Sequence, residues 1–204
     1  VDALAFDQER FLDTWFGETR EDPDRIPERK PWWFDPNPVV DQQLEKQAGH
    51  ACEAARSGRL DALAESPRGC LALILLLDQL PRNLYRGTAA AFSSDARALE
   101  LCLEGHRMGL DQPLTLIERV FFWMPLQHAE DLERQELGVQ LFTSLAGEDP
   151  ARDALWSEFA DFAELHHDII QRFGRFPHRN DALDRATTDR EEAWLEAGGA
   201  SFGQ

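Results

Sequence analysis

Three titratable side chains fall where apolar ones belong. In this 204-residue chain, Leu155, Phe159, Phe162, His166, Ile169 and Phe173 follow at steps of four, three, four, three and four, the period of one helix face. Ile117, Phe121, Met124 and His128 repeat in the same way, and Leu71, Ile74 and Leu75 lead to Asp78, the first charge after Arg68. Each is therefore expected on the inner face of a different helix. A buried neutral polar group without a partner costs about 2–7 kcal/mol, so the three should meet one another, a water or a ligand. An imidazole with a pKa of ~6.5 suits proton transfer, which makes His128 and His166 the candidate catalytic groups of an enzyme acting on a small molecule. A buried histidine satisfied by a carbonyl, in a hub that is purely structural, is the plainer reading.

Arginines gather beside these positions. The chain reads "DQLPRNLYRG" around Pro81 and "GRFPHRN" around Pro177, each placing arginine and asparagine after an apolar helix. Asp78, Gln79, Arg82, Asn83 and Arg86 are the candidate ligand-binding residues of the first block. His128 and Glu130 come from a second block, and His166, Arg172, Arg175, His178, Arg179 and Asn180 from the third. Guanidinium forks at one mouth would pair with Asp78 and Glu130, or hold a carboxylate or phosphate. Arg82, four residues after Asp78, is in ion-pair reach if the turn continues past Pro81.

Other chemistries lack a signature. His128, Glu130, His166 and His167 are metal-ligand types, but no HExxH or ExxH spacing supports a site, and no metal is expected. There is no glycine-rich phosphate loop, no GxSxG elbow and no recognisable Cys/His pair, so no cofactor is expected.

The elements that must carry these residues read as helices throughout, seven to nine in irregular antiparallel pairs. No stretch alternates with period two, so the fold class is all-α. One helix is expected from about Ala3 to Phe16 and another from Val39 to Arg56. Residues 18–38, with five prolines around "KPWWFDPNP", read as a long connection clamped on the body by Trp32, Trp33 and Phe34, aromatics that could also wall a pocket. Ser66-Pro67 starts a central buried helix, which Pro81 should end or kink. Ser94 caps the next. Pro113 opens another, bent or broken at Pro125, and a helix to Gly147 follows. Asp149-Pro150 starts a helix reaching Phe173, with Gly174 to close it, and Thr188 with Glu191 forms a capping box.

Bulk composition fits a soluble protein with one domain over 1–204. With 21 basic against 38 acidic residues and a formal charge of -17, nucleic acid and membranes are excluded as expected partners. A small anionic molecule or a peptide or protein is expected instead; the oligomeric state is not readable. Cys52, Cys70 and Cys102 have no CxxC pairing and read as free thiols, the opening residues read as a helix rather than a leader, and the longest apolar run, "CLALILLL", is too short to span a bilayer. The expected location is cytoplasmic.

Three blocks also carry a resemblance. "LDQLPRNLYRGTAAAF", "FFWMPLQHAEDLERQE" and "HHDIIQRFGRFPHRN" resemble the signature blocks of an uncharacterised bacterial family, domain of unknown function 924. The likeness extends from "FLDTWFG" to "GGASF". It implies a tetratricopeptide-like right-handed stack of helix pairs, and it implies no activity. Function is therefore read from the residues: a soluble binding or adaptor module with an Arg/His cleft for a small anion or a peptide carboxylate. The alternatives are the acid–base enzyme and a protein scaffold with a purely structural polar cluster.

Overall fold

The Asp7 carboxylate accepts from the Arg10 backbone N–H at 3.0 Å and so caps α1 (Gln8–Phe16), which buries Phe11, Leu12, Trp15 and Phe16. The computed structural model describes residues 6–202; the expected start of this helix at Ala3 lies outside them. Among the described residues there are ten α-helical segments and no strand. Two of the segments are joined by a π turn into one rod, giving nine helices.

The expected irregular connection over 18–38 is largely helical. Two 3₁₀ turns, Gly17–Arg20 and Pro23–Arg25, lead into α2 (Ile26–Phe34). Pro27 sits in the first turn of α2, where no backbone N–H is needed, and Pro31 removes only one bond from a nine-residue helix. The clamp itself is present. The Trp33 indole N–H donates to the Trp15 carbonyl at 2.8 Å, and its ring meets Phe121 edge-on at 4.9 Å. Trp32 packs edge-on against Trp15 at 5.4 Å.

Asn37 caps α3 (Pro38–Arg56). Ser66 caps α4 (Pro67–Ile74) through a bond from the Gly69 N–H. A π turn at Leu75–Gln79 then joins α4 to α5 (Leu80–Leu84). Pro81 neither ends nor interrupts this rod. Its ring would crowd the carbonyl four residues back, and the wider i→i+5 turn immediately before it relieves that crowding. The rod is the centre of the molecule: α1 and α3 pack on it, as do α6 (Asp95–Arg107) and α7 (Leu116–His128).

One position makes this packing testable. A Cβ on Gly69 would meet the Leu63 backbone carbonyl far inside contact distance, with Ser66 Oγ at 2.6 Å. Gly69→Ala is expected to destabilise the protein by about 1–3 kcal/mol, read from urea unfolding; an unchanged midpoint would mean that Leu63 and the preceding turn move freely.

α7 starts with a Thr115–Glu118 capping box, three residues later than Pro113 suggested. Pro125 lies inside it, so helical phase continues to His128. Ser94 stands before α6 without a side-chain cap bond. α8 (Leu132–Glu148) and α9 (Asp153–Phe173) form an antiparallel hairpin through a 3₁₀ turn at Pro150–Arg152. Gly174, at φ +71°, closes α9 by donating to the Ile170 carbonyl at 2.7 Å. α10 (Asp189–Glu196) carries the expected Thr188–Glu191 capping box.

The α9 stripe needs one correction. Its buried face is Trp156, Phe159, Ala160, Ala163, His166, Ile169 and Ile170, whereas Phe162 is 53% exposed. Steps of three and four drift across a helix face, and Phe162 falls at its edge. The main core runs continuously from Phe11 to Ala163, with a small satellite of Ile169, Ile170 and Phe176. Cys52, Cys70 and Cys102 are free and buried. Among the described residues no helix is long and apolar enough to cross a membrane.

Candidate functional site

Asp78, on the π turn, is fully buried. Its carboxylate accepts from His128 Nδ1 at 2.6 Å and from the Gln79 amide at 2.5 Å, and Arg82 Nη1 stands at 3.5 Å. Burial alone would raise its pKa; the Arg82 charge, His128 and the two hydrogen bonds outweigh burial and hold it below the usual carboxylate range. An ionised Asp78 can only accept, so His128 carries its proton on Nδ1 and keeps a lone pair on Nε2.

His166 arrives from α9, its ring centroid 6.1 Å from that of His128. Its Nδ1 donates to the Phe162 carbonyl at 2.7 Å, which leaves a second Nε2 lone pair. Burial, then the neighbouring His128, push its pKa down to about 3. His178 follows from the 3₁₀ turn Pro177–Arg179; burial and the adjacent Arg179 bring it to about 3 as well. Burial and Arg82 also keep His128 below its ordinary value, against the opposite pull of Asp78. All three imidazoles are therefore neutral at pH 7.

The cations are tied down by a residue the sequence reading did not single out. Asp95, at the start of α6, accepts from Arg82 through both oxygens at 2.9 Å and from Arg179 at 3.3 Å. Arg179 also donates to the His128 carbonyl at 3.1 Å and lies over the Phe176 ring at 4.4 Å. Burial and Arg82 lower its pKa to about 10, so it stays charged at pH 7. Its Nε and the Nδ1 of His178 are buried and have no partner among the described residues. Asn83 and Arg86 share Asp41, the former at 2.8 Å and the latter at 3.4 Å.

These groups line a cavity of about 280 Å³. One wall is polar: Gln79, Arg82, His128, His166, His178 and Arg179, with Asn83 and Arg86 beyond them. The rest of the lining is apolar, Trp33, Phe92, Met124 and Phe159 with the more exposed Phe34 and Phe162, and Phe92 lies against the Arg82 and Arg179 guanidiniums. Phe202 stacks on His166 at 3.9 Å and closes one side.

Five of the expected ligand residues lie off the cavity wall. Asp78 sits behind His128. Glu130 accepts from the Phe176 N–H at 2.8 Å and from Arg185 at 2.6 and 3.0 Å, so its cation is Arg185 and not a guanidinium of the cavity wall. Asn180 is bonded by Arg185 and to Thr187. Arg175 clamps Glu191 of the α10 capping box at 2.7 and 2.8 Å. Arg172 is exposed on α9, over Phe173. Asp95, Asp41 and Arg185 were missed because each is joined to its partner only by the tertiary fold. The aromatics at residues 32–34 did give a signal, and two of the three line the cavity.

Fold and site together define an all-α protein built around a central helix with a π turn, enclosing a half-polar, half-aromatic cavity. The family model for a bacterial protein of unknown function, DUF924, matches residues 11–199, and the chain belongs to that family. It is similar to the solved structure of the protein of unknown function ATU0120 from Agrobacterium tumefaciens. The two are 37% identical with a TM-score of 0.78, over 94% of this chain and 97% of that one. No curated protein matches the chain.

Proposed function

We propose that the cavity is the binding site of a small molecule with a carboxylate or similar acceptor head and an apolar body, and that the protein is a cytoplasmic binding module for it. The observation that carries this reading is a buried guanidinium, Arg179, that lines the cavity beside His128, His166 and His178. A carboxylate that accepts from this guanidinium makes a charge-assisted hydrogen bond, worth about 1.5–3 kcal/mol. The lone pairs of His128 and His166 add a condition, since a head made only of acceptors would be repelled by them. The ligand therefore also presents a hydroxyl, an amide N–H or a bound water. The aromatic part of the lining takes its body.

Within the cluster, Arg82, Arg179 and Asp95 satisfy one another, which is how a structural hub is built. The scaffold reading takes that part as the whole. Hydrocinnamate, with one carboxylate and one ring, separates the two. It should quench Trp33, which lines the cavity, in a saturable titration. Arg179→Gln should weaken binding about tenfold or more, the effect of losing a charge-assisted bond. Saturation without any dependence on Arg179, or no binding across a panel of aryl and alkyl monocarboxylates by a folded protein, sinks the ligand reading and leaves the scaffold.

A further inference from the structure

The ligand site contains more than binding requires. A carboxylate with no solvent exposure, Asp78, is held by Gln79 and Arg82 and accepts from His128 Nδ1 at 2.6 Å. That arrangement fixes the tautomer and plane of the His128 ring and aims the basic Nε2 at the cavity. The Arg179 guanidinium is on the same wall. Among the described residues lining the cavity there is no serine, threonine, cysteine or lysine. Burial lifts the thiols of Cys52 and Cys70 to about 11 and about 12, and neither lines the cavity. A base is present without a side-chain nucleophile for it to activate, so its partner must be water or a group of the ligand itself.

We propose, building on the ligand-site reading above, that this site hydrolyses a carboxylic ester or amide, with His128 as general base toward water and Asp78 as its positioning residue. A water in reach of the His128 and His166 lone pairs gives a proton to His128 Nε2 while its oxygen bonds to the acyl carbon. The C=O π pair moves onto the carbonyl oxygen, which accepts from the Arg179 guanidinium. When that pair returns, the C–X bond breaks, and the leaving alkoxide or amine takes the proton from His128 Nε2. The sum is R–CO–X + H₂O → R–COOH + H–X, with His128 restored. The groups facing His128 are Asp78 and Arg82 on the central rod, Asp95 on α6, His166 on α9, and His178 and Arg179 on the turn after it. Of the three imidazoles only His128 has a carboxylate on its Nδ1; that of His166 donates to a backbone carbonyl, and that of His178 has no partner among the described residues.

The probe is para-nitrophenyl hydrogen glutarate, whose nitrophenyl ring suits the aromatic wall. Release of nitrophenolate by the wild type should exceed the buffer rate. His128→Gln should lower kcat/KM about a hundredfold or more while hydrocinnamate still binds. Asp78→Asn should shift the acidic limb of the rate profile to lower pH, because loss of the carboxylate charge makes His128 harder to protonate; a merely structural Asp78 would leave that limb in place. Should Asp78→Asn fail to fold, the His128→Gln comparison alone decides. Hydrocinnamate binding with no turnover, or turnover unchanged in His128→Gln, overturns the hydrolytic proposal and leaves the binding site standing. Failure to bind either compound removes both.

Discussion

Asp78→Ala is expected to cost about 3–5 kcal/mol of folding stability, the usual penalty for removing one partner of a buried ion pair. The carboxylate is fully buried, and three groups depend on it: the His128 Nδ1–H, the Gln79 amide and Arg82. Its removal leaves the imidazole donor facing apolar walls and transfers the Arg82 charge to Asp95 alone, which already serves Arg179. Asp78→Asn keeps the volume and one acceptor oxygen, so it should cost clearly less. A double change, Asp78→Ala with His128→Phe, should cost less than the sum of the singles by about 1–3 kcal/mol, since the orphaned donor goes with its partner. Urea unfolding of the wild type and the four variants measures all of this. An Asp78→Ala protein within about 1 kcal/mol of the wild type, the scale of an exposed pair, would mean that water reaches the cluster freely.

The π turn explains how this cluster is assembled. Adjacent residues on an α-helix point about 100° apart, yet Asp78 and Gln79 are both buried and hydrogen-bonded to each other. The extra residue in the turn Leu75–Gln79 widens the helix there and rotates both side chains toward α7. The same device accommodates Pro81, so that Arg82 remains one turn beyond Asp78 with its Nη1 donating to the Asp78 carbonyl. A proline that looks like a stop signal is part of what holds the site together.

Local pattern made the helices and the inward-facing His128, His166 and Asp78 legible. A period near 3.6 survives in a single sequence, and the Asp78–Arg82 spacing is itself a helical contact. Long-range pairing left no such trace. Asp95 meets Arg82 and Arg179 from 13 and 84 residues away, and Glu130 meets Arg185 across 55. In sequence these acids are indistinguishable from the many others of an acidic chain. The prolines were misread for a different reason. Pro31, Pro81 and Pro125 each lie within helical structure: Pro31 costs one bond of a short helix, the π turn relieves the crowding at Pro81, and Pro125 is buried in the packing of α7. Arg172 and Arg175 misled because proximity in sequence to Arg179 is not proximity to the cavity: one follows the outer face of α9, and the other reaches back to Glu191.

The protein is expected to lose stability steeply between pH 6.5 and 4.5. His166 and His178 have pKa values of about 3 in the folded state, against ~6.5 in an unfolded chain. Below pH 6.5 the unfolded chain takes up protons that the folded protein refuses, so acid favours unfolding. The stability these neutral imidazoles provide is complete above their unfolded pKa and is lost as the pH falls toward their folded one. Each contributes a slope of about 1.4 kcal/mol per pH unit, and two units of acidification remove about 5 kcal/mol from the pair. His128, also lowered by burial and Arg82, acts in the same direction. Asp78 and Glu130 are held below the ordinary carboxylate range, so their contributions fade only at lower pH, and the window isolates the histidines. Unfolding free energies from urea titrations at pH 7.5, 6.0 and 5.0 read the slope directly. His166→Phe should flatten it by roughly one histidine's share, even where it changes stability at pH 7.5. A wild-type profile flat across the window would mean that the imidazoles are protonated in the folded protein, and the neutral, lone-pair-bearing wall assigned to the cavity would then be wrong.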